Sequence, residues 1–175
     1  MNATPRYPHR LRRLGEVWID GGLPRYFITI CVAERNNVLA NDVVYSLLVV
    51  FLLGSPKRYR WWPKRFVVMP DHLHLIVQQG NNCVSLGQWI KAMKSFIRSS
   101  RGHCRPGDRT GRQELWRWQT GFFDHVLRND ESESEKWNYV LMNPVRAGLA
   151  ERPEDWPYGS QIVYDENGPR LISST

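Results

Sequence analysis

The stretch from Arg65 to Gln78 (RFVVMPDHLHLIVQ) most constrains what this chain can fold into. Two β-branched, apolar runs, Arg65 to Met69 and Leu73 to Gln78, are separated by little more than Met69-Pro70-Asp71, where proline sets up a turn. Such a pair is a hairpin, and its apolar character puts it at the centre of a sheet. Alternate side chains of a strand share a face, so Leu73, Leu75 and Val77 turn into a core while His72 and His74 project together on the opposite side. Two imidazoles side by side on a rigid strand make half a metal site. Leucine flanks both, and no carboxylate on their own face explains them as a salt-bridged pair.

The remaining elements fall around this hairpin. Arg25 to Val32 (RYFITICV) is a first strand entered from Gly21-Gly22, and Asp42 to Leu53 a buried apolar helix that Gly54-Ser55-Pro56 stops. From Ser85 to Arg101, Leu86, Trp89, Ile90, Met93 and Ile97 recur at helical spacing, with Lys91, Lys94, Arg98 and Arg101 on the remaining surface. Residues 105–111 (RPGDRTG) form a loop, Phe122 to Leu127 a fourth strand, and a last helix runs from near Ser132 at least to Met142. The order strand, helix, strand, strand, helix, strand, helix predicts an α+β domain. It is one antiparallel sheet with packed helices, of ferredoxin-like or RNA-recognition-motif (RRM) type. A basic arm (1–19), a catalytic domain (20–150) and an irregular C-terminal tail (151–175) divide the 175 residues.

Charge narrows the partner. The formal net charge is +7, and the cations cluster: Arg6, Arg10, Arg12 and Arg13; Lys57, Arg58, Arg60, Lys64 and Arg65; then Lys91, Lys94, Arg98, Arg101 and Arg105. Clustered cations release condensed counterions on meeting a polyanion, which makes nucleic acid the leading partner. Trp61, Trp62, Trp89, Trp116 and Trp118 interleave with them, as core rings or as stacking surfaces for unpaired bases. Cys31, Cys83 and Cys104 are widely spaced without a C-x-x-C, which favours free thiols in a reducing compartment. The longest apolar run, Val43 to Leu53, is too short to span a bilayer. A soluble, cytoplasmic protein without a membrane partner is expected.

On the last helix Tyr139 and Asn143 are four residues apart and share a face. An amide oxygen can be a neutral metal ligand, and a phenol one turn away can be a nucleophile; Tyr139 can equally be an ordinary half-buried helix tyrosine. Pro144 disfavours helical geometry at Asn143, so either the helix kinks there or Asn143 ends it.

Taken together, Val67 to Val77 (VVMPDHLHLIV), Trp118-Gln119, Phe122, Asp124-His125, Arg128 and Tyr139 to Leu149 (YVLMNPVRAGL) resemble the REP-associated tyrosine transposases. These are single-domain HUH proteins related to the small insertion-sequence transposases, and the resemblance spans about residues 20 to 160. It implies a ferredoxin-like fold, with His72 and His74 binding a divalent cation, Asn143 as the third polar group and Tyr139 as nucleophile. It also implies single-stranded or hairpin DNA from palindromic repeats as substrate, cut to a 5′-phosphotyrosine and a free 3′-OH and open to rejoining. The chain from Gly102 to Glu114 departs from the family pattern in length and charge.

Two imidazoles and an amide suit Mn²⁺ or Mg²⁺; zinc is the competing choice, but Cys83, Cys104, His103 and His125 show no ligand spacing. Lys91, Lys94 and Arg98, with Arg10, Arg12 and Arg13 of the arm, are the expected phosphate contacts. Arg146 steadies substrate phosphate or pairs with a helix-end carbonyl. His125 is expected to orient a strand or touch phosphate, and Asp124 and Arg128 to support the site or to pair with each other as a surface network without function. The expected particle is a monomer or homodimer. Two rival readings are a non-catalytic RRM-like nucleic-acid-binding module and a metal-dependent hydrolase that uses activated water.

Overall fold

The computed structural model describes residues 22–101, 116–127 and 130–173. Six strands form one antiparallel sheet: β1 (Arg25–Cys31), β2 (Trp61–Val68), β3 (His72–Gln79), β4 (Phe123–Leu127), β5 (Gly159–Asp165) and β6 (Gly168–Ser173), in the order β4-β1-β3-β2-β5-β6. The helices are α1 (Asp42–Tyr59), α2 (Leu86–Arg101), α3 (Asp130–Leu141) and the single turn α4 (Asn143–Arg146). The order β4-β1-β3-β2 over β1-α1-β2-β3-α2-β4 is the expected ferredoxin-like arrangement.

The pleat sorts residues into two layers. Ile28, Ile30, Phe66, Val68, Leu73, Leu75 and Val77 meet Leu48 and Leu52 of α1 and Trp89, Ile90, Met93 and Ile97 of α2 in the main core. On the other face Phe27, Val67, Met69, Ile76 and Leu127 meet Trp137 and Val140 of α3. Two helices seal one side, so the sheet is rigid there, and one short helix covers part of the other.

Several expectations need correction. Helix α1 does not stop at Gly54-Ser55-Pro56 but continues to Tyr59 with Pro56 inside it. The buried Ser55 Oγ donates to the Phe51 carbonyl (2.9 Å) and accepts from Trp89 Nε1 (3.0 Å), so tertiary bonding outweighs the local stop signal. Arg60, left-handed at φ 59°, then ends the helix by donating its N–H to the Pro56 carbonyl. The tail is not irregular: β5 and β6 are paired around Gly168 (φ 100°), and β5 extends the sheet along β2. Trp61 and Trp89 are wholly inside the core and unavailable to bases. Among the described residues no helix is long and apolar enough to cross a membrane.

Candidate metal and nucleophile site

The hairpin turn that starts β3 is fixed by backbone bonds before any side chain acts. The Asp71 carbonyl accepts from Val32 N–H (2.9 Å), the Pro70 carbonyl accepts from Val38 and Leu39 N–H (2.8 and 2.9 Å), and Met69 N–H donates to the His72 carbonyl (2.8 Å). From this anchored corner His72 and His74 point to the α3 face.

Their Nε2 atoms lie 3.1 Å apart, and the Asn143 amide is 3.1 Å from His74 Nε2. The other ring nitrogens are occupied. His72 Nδ1–H donates to Asp71 Oδ1 at 2.6 Å, which fixes its proton on Nδ1, because a carboxylate only accepts. His74 Nδ1 lies 2.9 Å from Thr29 Oγ1. With Nε2 accepting from Asn143, a neutral His74 carries its proton on Nδ1 and gives it to the threonine. Both Nε2 lone pairs therefore face the same small space, where they repel unless a proton or cation lies between them. Turning the Asn143 amide about its last bond brings Oδ1 to the same place. The donor set fits a divalent cation of Mg²⁺ or Mn²⁺ type, with further positions open. Among the described residues no group of three His, Cys, Asp or Glu is placed to hold a metal ion; the third polar group at the paired imidazoles is the Asn143 amide.

Electrostatics keep His74 neutral, the form in which an imidazole can bind a metal. Burial, then the neighbouring His72, Arg35 and Lys136, pull its pKa down to about 3, which leaves the ring neutral near pH 7. Phe27 stacks on it with ring centres 5.3 Å apart.

The expectation that no carboxylate on the histidines' own face pairs with them overlooks the turn, from which Asp71 pairs with His72. Asp71 precedes His72 in the turn, where strand alternation does not apply, and its second oxygen pairs with Arg35 Nε. Arg35 reaches it from a short turn after β1 in which Glu34 and Arg35 both adopt left-handed backbone (φ 60° and 56°). Carboxylate–histidine pairs of this kind fix the tautomer of a metal ligand. Thr29 and Lys136 were also missed. Lys136 sits three residues before Tyr139 and seven before Asn143, a helical spacing that could have flagged it; its Nζ is 5.3 Å from the Phe27 ring centre.

Tyr139 is on α3 and 58% exposed. The helix breaks at Met142, and Asn143 opens α4 with Pro144 directly after it, where a missing N–H costs nothing. Arg146 pairs with a helix-end carbonyl: its Nη1 donates to the Tyr139 carbonyl at 2.9 Å, and its guanidinium lies over the Tyr139 ring, 4.5 Å from the centre.

The other expected residues divide. Helix α2 packs on the opposite face, so Lys91, Lys94 and Arg98 do not meet the histidines. Lys94 is structural: its ammonium donates to the Gln119 and Gly121 carbonyls at 2.9 and 2.6 Å, and burial lowers its pKa to about 8. His125 shares the histidine face, opposite Phe27, whereas Asp124 pairs with Ile28 and turns to the other side. Asp124 is therefore not a support for the histidines. Arg10, Arg12, Arg13, Arg128, His103 and Cys104 lie outside the described residues.

No protein-family model matches the chain. It is 25% identical over 145 residues to the REP-associated tyrosine transposase of Escherichia coli K12, covering 82% of this chain and 78% of that protein. It is 29% identical over 143 residues, 80% of each chain, to a protein of Haemophilus influenzae provisionally given the same name. The fold matches the solved structure of a REP-associated tyrosine transposase bound to a REP hairpin, with a TM-score of 0.63 and 21% identity over 91% of this chain and 82% of that one.

Proposed function

Starting from this chain's kinship with the REP-associated tyrosine transposases, we propose that it cuts and rejoins single-stranded DNA at palindromic hairpins through a covalent bond to Tyr139. The observation that carries this reading is the convergence of His72 Nε2, His74 Nε2 and the Asn143 amide within 3.1 Å contacts, with an exposed tyrosine four residues before Asn143 in the chain. The hairpin substrate is supported by the REP hairpin named in the solved relative.

The phenolic oxygen of Tyr139 attacks the scissile phosphorus in line. The new P–O bond forms as the bond to the 3′ oxygen breaks, and Tyr139 gives up one proton while the departing 3′ oxygen takes one up. The products are a 5′-phosphotyrosine and a free 3′-OH. Attack by a 3′-OH reverses the step and joins strands without ATP, because the energy of the phosphodiester is kept in the tyrosine ester. A bound Mg²⁺ or Mn²⁺ supplies charge neutralisation at the phosphate. His72, His74 and Asn143 hold it. Asp71 and Thr29 set the two imidazoles, Arg146 holds the Tyr139 ring and backbone, and Lys136 adds a positive charge on the same face. A protein of this kind works where DNA is replicated, in the cytoplasm, as a monomer or homodimer.

The test is incubation of end-labelled hairpin DNA with Mn²⁺ or Mg²⁺ for wild type, Tyr139→Phe and His72→Ala. A denaturant-resistant protein–DNA adduct that requires metal and disappears in both variants is the expected result. Binding with no adduct from wild type would favour a non-catalytic RRM-like module. Cleavage that survives Tyr139→Phe would favour a hydrolase that activates water.

A further inference from the structure

Among the described residues β4 is the edge strand of the sheet, and it carries a large apolar ring into solvent. Phe123 is 61% exposed, although it follows Phe122, which packs against the main core. Its direction is fixed by pairing: Phe123 is opposite Thr29 on β1, and Thr29 is opposite His74 on β3. The three residues form one row across the histidine face, which puts Phe123 two strand spacings, about 10 Å, from His74. His125, also exposed, is the next residue of β4 on that face.

Around the same edge lies a groove of about 530 Å³ between α2 and residues 117–122. Lys91, Arg98 and Arg117 are exposed along it and Trp118 forms part of its wall. Lys94 holds the floor by its two bonds to loop carbonyls. Gly121, at φ 86°, precedes Phe122, which lines the groove on the α2 side, and Phe123 turns to the histidine side, so groove and exposed ring are the two sides of one rim along the β4 edge.

We infer that this rim binds the unpaired strand next to the scissile phosphate: Phe123 stacks on one of its bases, and Lys91, Arg98 and Arg117 take its phosphates beyond the β4 edge. The inference rests on the proposed reaction for the identity of the strand. An apolar face beside cations of one sign matches a polyanion with exposed π-faces. Duplex DNA offers the phosphates but keeps its bases stacked on each other. A second copy of this chain, at a net charge of +7, is repelled by the groove.

The experiment is metal-free equilibrium binding, so it reads out whether or not Tyr139 reacts. Labelled hairpins with and without a single-stranded flank are titrated with wild type, Phe123→Ala, Phe123→Trp and Arg98→Ala/Arg117→Ala; 2-aminopurine is placed at successive flank positions. We expect Phe123→Ala to weaken binding of the flanked hairpin about tenfold, in line with the usual value of one stacked base. The blunt hairpin should be unchanged, and Phe123→Trp should restore affinity. Fluorescence quenching at one flank position should vanish with the ring. The double arginine variant should lower the salt dependence, by a slope of about 1.4 for two phosphates of a single strand. Equal binding of both hairpins by Phe123→Ala and wild type would overturn the inference, as would equal losses on blunt and flanked DNA. Absence of a tyrosine adduct in the cleavage assay would leave this result standing and remove only the reaction.

Discussion

Replacing Asp71 by Asn tests whether the hairpin turn prepares His72 for metal. Asp71 accepts the His72 Nδ1 proton at 2.6 Å and pairs with Arg35, so one charged side chain sets the tautomer and the angle of the imidazole. An amide of the same shape loses the charge, and a charge-assisted hydrogen bond is roughly twice as strong as a neutral one. The amide NH₂ can also donate to Nδ1, which moves the ring proton to Nε2 and points it where the lone pair is needed. Loss of such an outer partner typically costs about 10- to 100-fold in metal affinity, or about 1.4 to 2.7 kcal/mol. Titration of metal-free protein with Mn²⁺, followed by calorimetry or by loss of the free-ion EPR signal, measures it directly. Asp71→Asn should bind that much more weakly while keeping its circular dichroism spectrum. An affinity within about twofold of wild type would refute the idea that the turn carboxylate positions His72.

Three other measurements probe the scaffold and its pH response. A Cβ at Gly80 would fall 1.9 Å from the Trp62 ring and 2.7 Å from the Arg60 carbonyl oxygen, so Gly80→Ala should lower stability by about 1–3 kcal/mol in urea unfolding; an unchanged midpoint would show that the ring gives way freely. Ser55→Ala leaves the Trp89 indole N–H buried without its acceptor and should cost about 1–3 kcal/mol, whereas a neutral result would mean another acceptor takes over. For His74, held down to about 3, the unfolded chain binds a proton between pH 6.5 and 3 that the folded ring refuses. Stability of the metal-free protein should therefore fall as pH drops below about 6.5, by up to about 1.4 kcal/mol per unit, and be flat in this respect above it. Urea unfolding of wild type and His74→Phe at about pH 7, 6 and 5 compares the slopes; identical slopes would remove His74 as the cause.

The parts of this fold that sequence makes legible are those where one periodicity dominates. Period-two alternation in His72–Gln79 gave both the strand and its histidine face, and the 3.6-residue repeat of Leu86, Trp89, Ile90, Met93 and Ile97 gave α2 within a residue. Local punctuation misled where packing could absorb it. Pro56 occupies the last turns of α1, and Ser55 is held there by Trp89, a partner 34 residues away. The β5–β6 hairpin hid behind Trp156-Pro157 and Pro169, although Asn167-Gly168 was a turn signal in plain view. At the site, the two histidines follow from spacing on one strand, whereas Tyr139 and Asn143, four residues apart, stand on α3 and α4 across the break at Met142. Asp71, Thr29 and Lys136 act across elements or from a turn, so no single period marks them.

The same pleat that holds the two layers apart ties the fate of the chain to its register. Were β3 to slip by one residue against β1, Leu73 and Leu75 would meet water on the α3 side and both imidazoles would enter the main core. A misaligned molecule would thus be unstable and lack the paired histidines at once. Cellular proteases that remove loosely folded copies and selection that removes inactive ones would then act on a single variable, and a population of this protein that persists is also one whose histidines are aligned.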